Sequence, residues 1–307
     1  MRVLVIKLGA LGDFVQAFGP FAAIRAHHST ARIALLTTPP FADLARRSPW
    51  FDEIRIDRRP AVWNLPGLIA LVRRLRGFDI VYDLQTSTRS SRYFPLAGKP
   101  AWSGIARGAS LPHSNPQRDL MHTRERQREQ LEMATISAQP APDLSWLTAT
   151  PIAFDLPRNF ALLVPGAAPH RPAKRWPAQH FARLASELDR RGLTPVIIGT
   201  EAESPIARQI RAACANAVDL TGRTGIAEIA AIAAKAMLAV GNDTGPMHLA
   251  AAVGCPCIVL FSADSDPALT SPRGPGGVWP TILREDDLAD LPPSRVLDRV
   301  ADVLAWA

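Results

Sequence analysis

Short apolar runs alternate with amphipathic stretches along the first 85 residues. Arg2–Ile6 is rich in β-branched residues, which predicts a buried strand. Gly9-Ala10-Leu11-Gly12-Asp13 follows as a loop. From Phe14 to about His27 the apolar positions recur with a helical period, and Pro20 is a candidate kink. Arg32–Leu36 predicts a second strand, stopped by Thr38-Pro39-Pro40, and Glu53–Ile56 a third. Leu65–Arg76 has the spacing of an amphipathic helix, and Asp79–Leu84 reads as a fourth strand. Strand and helix alternating in this way imply a parallel sheet with crossover helices.

Residues 112–130 are polar, and a helix is expected over Arg124–Ile136. The proline-rich stretch from Gln139 to Pro157 reads as an interdomain linker, giving domains at 1–150 and 151–307. A second alternation then begins. Phe160–Val164, Thr194–Ile198, Met237–Val240 and Cys255–Phe261 are its expected strands. Helices are expected from Pro177 to about Arg191, and over Pro205–Ala213, Ile226–Ala234, Met247–Val253 and Ser294–Ala305. The fold class is therefore α/β, with two doubly wound halves. Such sheets bind ligands at the carboxyl ends of their strands, and two of them facing each other make a cleft.

Composition narrows the class. The chain has 307 residues, 47% apolar and 21% charged, with three cysteines. This usage is that of a globular chain rather than a disordered, collagen-like or coiled-coil one. The cysteines are too few for a disulfide scaffold and are expected to be reduced, buried thiols of a cytoplasmic protein. No apolar run is long enough for a spanning helix, and the opening run breaks too soon for a signal peptide. Charge is uneven: residues 1–150 carry 20 Lys and Arg against 12 Asp and Glu, and the rest 15 against 16. A basic first half suits an acidic partner, such as a phosphorylated ligand, an anionic membrane surface or nucleic acid. An Arg-rich composition with no partner is the alternative.

Three segments carry candidate chemistry. Gly9 and Gly12 let a ligand or a neighbouring chain approach closely before a helix start. Asp13 is either the cap of that helix or a general base; the positive helix end works against a base, so that role needs a dry site or a nearby acid. Gly241-Asn242-Asp243-Thr244-Gly245-Pro246-Met247-His248 is a second strand-to-helix junction, suited to cradling a phosphate. Asp243 or Thr244 is equally suited to capping that helix, and His248 to a structural role. Lys174, in Lys174-Arg175-Trp176-Pro177, closes a long loop from which a lysine can reach a diphosphate; a solvated basic loop is the alternative. Asp264-Ser265-Asp266 looks like a D-x-D metal clamp, but its following Pro267 favours a turn. The G-x-G-x-x-G, Walker A, G-x-S-x-G and H-E-x-x-H patterns are absent, as is any nucleic-acid motif.

Taken together, these segments resemble glycosyltransferase family 9, the ADP-heptose:lipopolysaccharide heptosyltransferases. The matching stretches are Val3–Gln16, Phe78–Gln85, Pro165–Ala167, Ala173–Pro177 and Gly241–Ala252, in the family's order. The resemblance implies a GT-B fold of two Rossmann-like domains facing a central cleft. The acceptor would sit on the first, the donor on the second, and the helix 294–305 would pack back on the first. It implies inverting, metal-independent heptose transfer from ADP-heptose to a lipopolysaccharide inner core, with no cofactor and with domain closure excluding water. Asp13 matches the proposed base, Lys174 the diphosphate lysine, and Asp243, Thr244, Gly245 and His248 the donor loop. Glu201 falls roughly where an acid contacts the ribose. The stretch Ala167–Arg171 lacks the hydroxyl and acidic residues usual in the family. The implied partners are a nucleotide sugar, an anionic Kdo–lipid A type acceptor and the inner face of the inner membrane, and not nucleic acid. A transferase for another nucleotide sugar and surface glycan, or a non-catalytic nucleotide-sugar-binding protein, remains open at this point.

Overall fold

The computed structural model describes residues 1–305. The chain divides into two compact units, Met1–Asp143 and Leu144 onward, with the division inside the proline-rich stretch.

In the first unit six strands form one parallel sheet: β1 (Arg2–Ile6), β2 (Arg32–Thr37), β3 (Glu53–Ile56), β4 (Ile80–Asp83), β5 (Ala101–Gly104) and β6 (Leu111–Pro112). Their order is β3-β2-β1-β4-β5-β6. The second unit has β7 (Phe160–Val164), β8 (Thr194–Ile197), β9 (Val218–Asp219), β10 (Leu238–Asn242), β11 (Cys257–Phe261) and β12 (Thr281–Arg284). Their order is β12-β11-β10-β7-β8-β9, again all parallel. Both sheets are wound alike: the chain starts at the centre, builds to one edge, returns and builds to the other. The order therefore reverses between β1 and β4, and between β7 and β10. A crevice opens at such a reversal because the crossover helices leave in opposite directions.

The central strands read as unbroken apolar runs because both sheet faces are covered. Val3–Ile6 and Phe160–Val164 are buried throughout. Phe181, Leu184 and Leu188 of the Ala178–Arg190 helix pack into the core beside β7 and β10. The three cysteines are free and buried, as expected.

One expectation changes. The Phe14–His27 helix is two helices, Leu11–Gln16 and Phe18–His27, parted at Ala17. Pro20 sits in the first turn of the second, where its missing N–H costs no helical bond. The last helix, Pro293–Leu304, buries Val296 and Val300 in the core of the second unit, its own. Strands β5, β6, β9 and β12 were not predicted. Two of them are only two residues long, too short for any periodicity.

Candidate active site

Both candidate loops lie at the points where strand order reverses. In the first unit the ends of β1 and β4 are fastened together. Lys7 Nζ donates to the Leu84 carbonyl at 3.0 Å, and the Leu8 N–H donates to Gln85 Oε1 at 2.8 Å. Asp83 Oδ1 accepts from the N–H groups of Gln85 and Thr86, both at 3.1 Å. At the other end of β4, Asp79 Oδ2 accepts the Arg2 N–H at 2.7 Å. Asp79, Asp83 and Gln85 thus fasten the backbone at the two ends of β4.

Burial pushes the Asp83 carboxyl up to about 6, against its hydrogen bonds and the nearby Lys7 charge. Burial also holds the Lys7 ammonium below the usual lysine range; Asp13 and Asp83 oppose this, and Arg126 adds to it.

Gly9 has φ +114°, and a Cβ there would meet Phe41 Cε2 at 2.5 Å. The close approach it permits is therefore to a phenyl ring of its own unit. Ala10 occupies the cap position of the Leu11–Gln16 helix, so Asp13 is not its cap. Gly12 and Asp13 stand second and third in that helix. The Asp13 carboxylate is half-buried and has no hydrogen bond or ion pair among the described residues. Its charge acts on Lys7 and on Arg126 of the Thr123–Met133 helix. Asp13 is thus an unpaired carboxylate held beside two cations.

In the second unit, Lys174 Nζ donates to Asp243 Oδ2 at 2.5 Å, with both side chains largely buried. His248 Nε2 lies 3.9 Å from Asp243 Oδ1. Asp243 is therefore bound to Lys174 rather than capping a helix. Thr244 holds the cap position of the Gly245–Ala252 helix with no side-chain capping bond. His248 is in that helix's first turn and is buried. Gly241 lets the helix sit close: a Cβ there would be 2.6 Å from Val164 Cβ and 2.8 Å from Met247 Sδ.

Asn242 is a residue that sequence reasoning did not single out. Its Oδ1 accepts the Trp176 N–H at 3.0 Å, and its Nδ2 donates to the Pro165 carbonyl at 2.8 Å. It therefore ties both feet of the Pro165–Pro177 loop to the end of β10. The Trp176 indole N–H donates to the Leu291 carbonyl at 2.9 Å, and the ring is buried. Residues 168–173, between these feet, are exposed.

Glu201 is exposed and accepts from Ser204 Oγ at 3.2 Å. The buried acid of that turn is Glu203, whose Oε2 accepts from Thr200 N–H at 2.9 Å and Oγ1 at 2.6 Å. A Cβ on Gly166 or Gly199 would approach Glu203 to 3.0 or 2.9 Å. Asp266 of the D-x-D stretch caps the short Pro267–Thr270 helix, as the turn reading expected. Among the described residues no group of three or more His, Cys, Asp or Glu is arranged to hold a metal ion.

Comparison with known proteins bears on this geometry. The family model described as "Glycosyltransferase family 9 (heptosyltransferase)" matches residues 68–279, more than half of the chain. The chain is 32% identical over 157 residues to a lipooligosaccharide heptosyltransferase 2 of Haemophilus influenzae. It is 35% identical over 156 residues to a lipopolysaccharide heptosyltransferase 2 of Salmonella typhimurium. In each case the aligned stretch spans 44% of this chain and 44% of the relative. Among solved structures, ADP-heptose LPS heptosyltransferase II of Escherichia coli has a TM-score of 0.79 at 23% identity, over 100% of this chain and 99% of that one. A family 9 glycosyl transferase of Veillonella parvula has 0.83 at 19% identity, over 100% and 97%. The fold is shared over essentially the entire chain.

Proposed function

The chain belongs to glycosyltransferase family 9, and from that premise we propose that it transfers a heptose from ADP-heptose to a lipopolysaccharide inner-core acceptor. The observation that carries the reading is the pair of strand-reversal sites. One offers an unpaired carboxylate, Asp13, and the other a largely buried lysine, Lys174, next to a helix start. An Escherichia coli heptosyltransferase of the same fold has been solved with ADP-2-deoxy-2-fluoro heptose, which supports this donor class.

The chemistry follows from these groups. Asp13 accepts the proton of the acceptor hydroxyl as its oxygen bonds to the anomeric carbon. The carbon–oxygen bond to ADP breaks on the opposite side, so the anomeric configuration inverts. Negative charge gathers on the departing diphosphate. Lys174 meets it: its ammonium has three N–H donors, of which Asp243 takes one and aims the rest. The N–H of Gly245 and the positive end of its helix add to the same field. With these donors in place the transfer needs no metal. The basic first half suits an acceptor rich in carboxylates and phosphates at the inner face of the inner membrane.

The test is ADP release on mixing the protein with ADP-heptose, with and without a Kdo–lipid A acceptor. Acceptor-dependent release that survives EDTA is expected. Release with a GDP- or UDP-sugar but not with ADP-heptose would move the reading to another nucleotide sugar, which the unusual Ala167–Arg171 stretch makes the second candidate. Donor binding without release under any acceptor would leave a binding protein.

A further inference from the structure

The Leu65–Leu75 helix is apolar on two sides. Leu71 and Leu75 are buried in the core of the first unit. Leu65 and Ile69, one turn apart on another side, are 66% and 53% exposed. The loop before them adds Val62 at 75% and Trp63 at 83%. Single exposed apolar side chains are ordinary, but four within eight residues form a patch.

Charge indicates what this patch faces. From Arg58 to Phe78 the sequence has five arginines and no Asp or Glu. Arg73 continues the Leu65–Ile69 row by one more turn, and Arg58 and Arg73 are exposed beside the patch. A second copy would bring the same arginines against themselves, so self-association through this face is opposed. Apolar side chains with a tryptophan, flanked by cations, match the boundary between anionic headgroups and acyl chains.

We propose that the Val62–Ile69 segment is a docking surface for an anionic lipid bilayer. Val62, Trp63, Leu65 and Ile69 enter the headgroup–acyl boundary, and Arg58 and Arg73 pair with lipid phosphates. This rests on the membrane-facing part of the function proposed above and gives it a place. Arg59 Nη2 donates to the Leu8 carbonyl at 3.2 Å, and the Arg59 N–H donates to Asp57 Oδ1 at 2.7 Å. The apolar loop is thereby tied to the strand end that leads into Gly9–Asp13. A glycolipid acceptor reacting at Asp13 keeps its acyl part in the same bilayer that holds the loop.

The test is co-sedimentation of the full-length protein with phosphatidylcholine vesicles, with and without phosphatidylglycerol. Binding about tenfold tighter to the anionic vesicles is expected, and it weakens with salt. Trp63→Ser combined with Ile69→Ser is expected to lower binding about tenfold while leaving the melting temperature unchanged. Arg58→Glu combined with Arg73→Glu is expected to erase the preference for anionic vesicles. Sugar transfer to an acceptor stripped of its acyl chains is expected to be unchanged in both variants, so failed docking and failed heptosyl transfer are read separately. A protein that stays in the supernatant overturns the proposal, as do variants that sediment like the wild type. A dimer abolished by Trp63→Ser, with vesicle binding intact, assigns the patch to a second copy instead.

Discussion

Lys174 and Asp243 are 69 residues apart in the chain and 2.5 Å apart in space. One comes from the loop after β7 and the other from the end of β10, so their meeting depends on those two strands being neighbours in the sheet. The pair is close to neutral. Its value for an anion lies in the remaining ammonium donors, which Asp243 holds in one direction.

Lys174→Met is therefore expected to do double damage. It removes the donor and leaves a buried carboxylate unpaired beside the phosphates. ADP affinity measured by calorimetry is expected to fall about 100-fold, or about 2.7 kcal/mol. Lys174→Arg is not expected to rescue it, because a planar guanidinium cannot replace a point charge in this buried space.

Asp13→Asn separates chemistry from binding. Turnover is expected to fall by about 10² to 10⁴, the usual worth of a general base. ADP affinity is expected to stay within about twofold, since no donor contact is lost. An Asn variant that still transfers sugar at the wild-type rate would refute the role of Asp13.

Asp83 gives a pH dependence with a definite sign. Its carboxyl rises from an ordinary value of 3.8 to about 6 on folding. Between those values the folded chain holds more protons than the unfolded one, so stability falls as pH rises through this window and then levels off. Asp83→Asn, which keeps an oxygen for the Gln85 and Thr86 N–H groups, is expected to flatten this fall. Melting temperatures at pH 4.5 and pH 7.5 for both proteins would check it.

Gly241→Ala tests packing beneath the proposed donor site. The new methyl meets Val164 and the Met247 sulfur well inside van der Waals distance. The Gly245–Ala252 helix has to move away from β10 and take His248 with it. A loss of about 1–3 kcal/mol in denaturant unfolding is expected, along with weaker ADP binding.

Much of the fold was readable because the central strands are buried on both faces. Such strands appear as plain apolar runs: β1 and β7 fall where Arg2–Ile6 and Phe160–Val164 predict them. The strands that escaped are short, and their existence depends on pairing. Leu111–Pro112 is a strand only because β5 lies beside it. The separate loops of the candidate site stand out in the sequence, since glycines and acids cluster before helix starts. What joins them does not. Nothing local says that Asn242 will hold Pro165 and Trp176, or that Lys7 will reach the Leu84 carbonyl 77 residues away. Nor does position after Gly199-Thr200 say that Glu203 will bond back to Thr200 while Glu201 stays exposed.

The anchoring of the Pro165–Pro177 loop at its two feet has a consequence for how such a protein can change. Asn242 fixes the ends, while residues 168–173 at the crown are exposed. Substitutions of exposed crown side chains alter what the loop displays, while Asn242 still holds its feet and Asp243 still holds the Lys174 ammonium. Recognition can drift while the framework stays put, and all of the atypical Ala167–Arg171 stretch except the buried Ala167 lies in the part of the loop where such drift is cheapest.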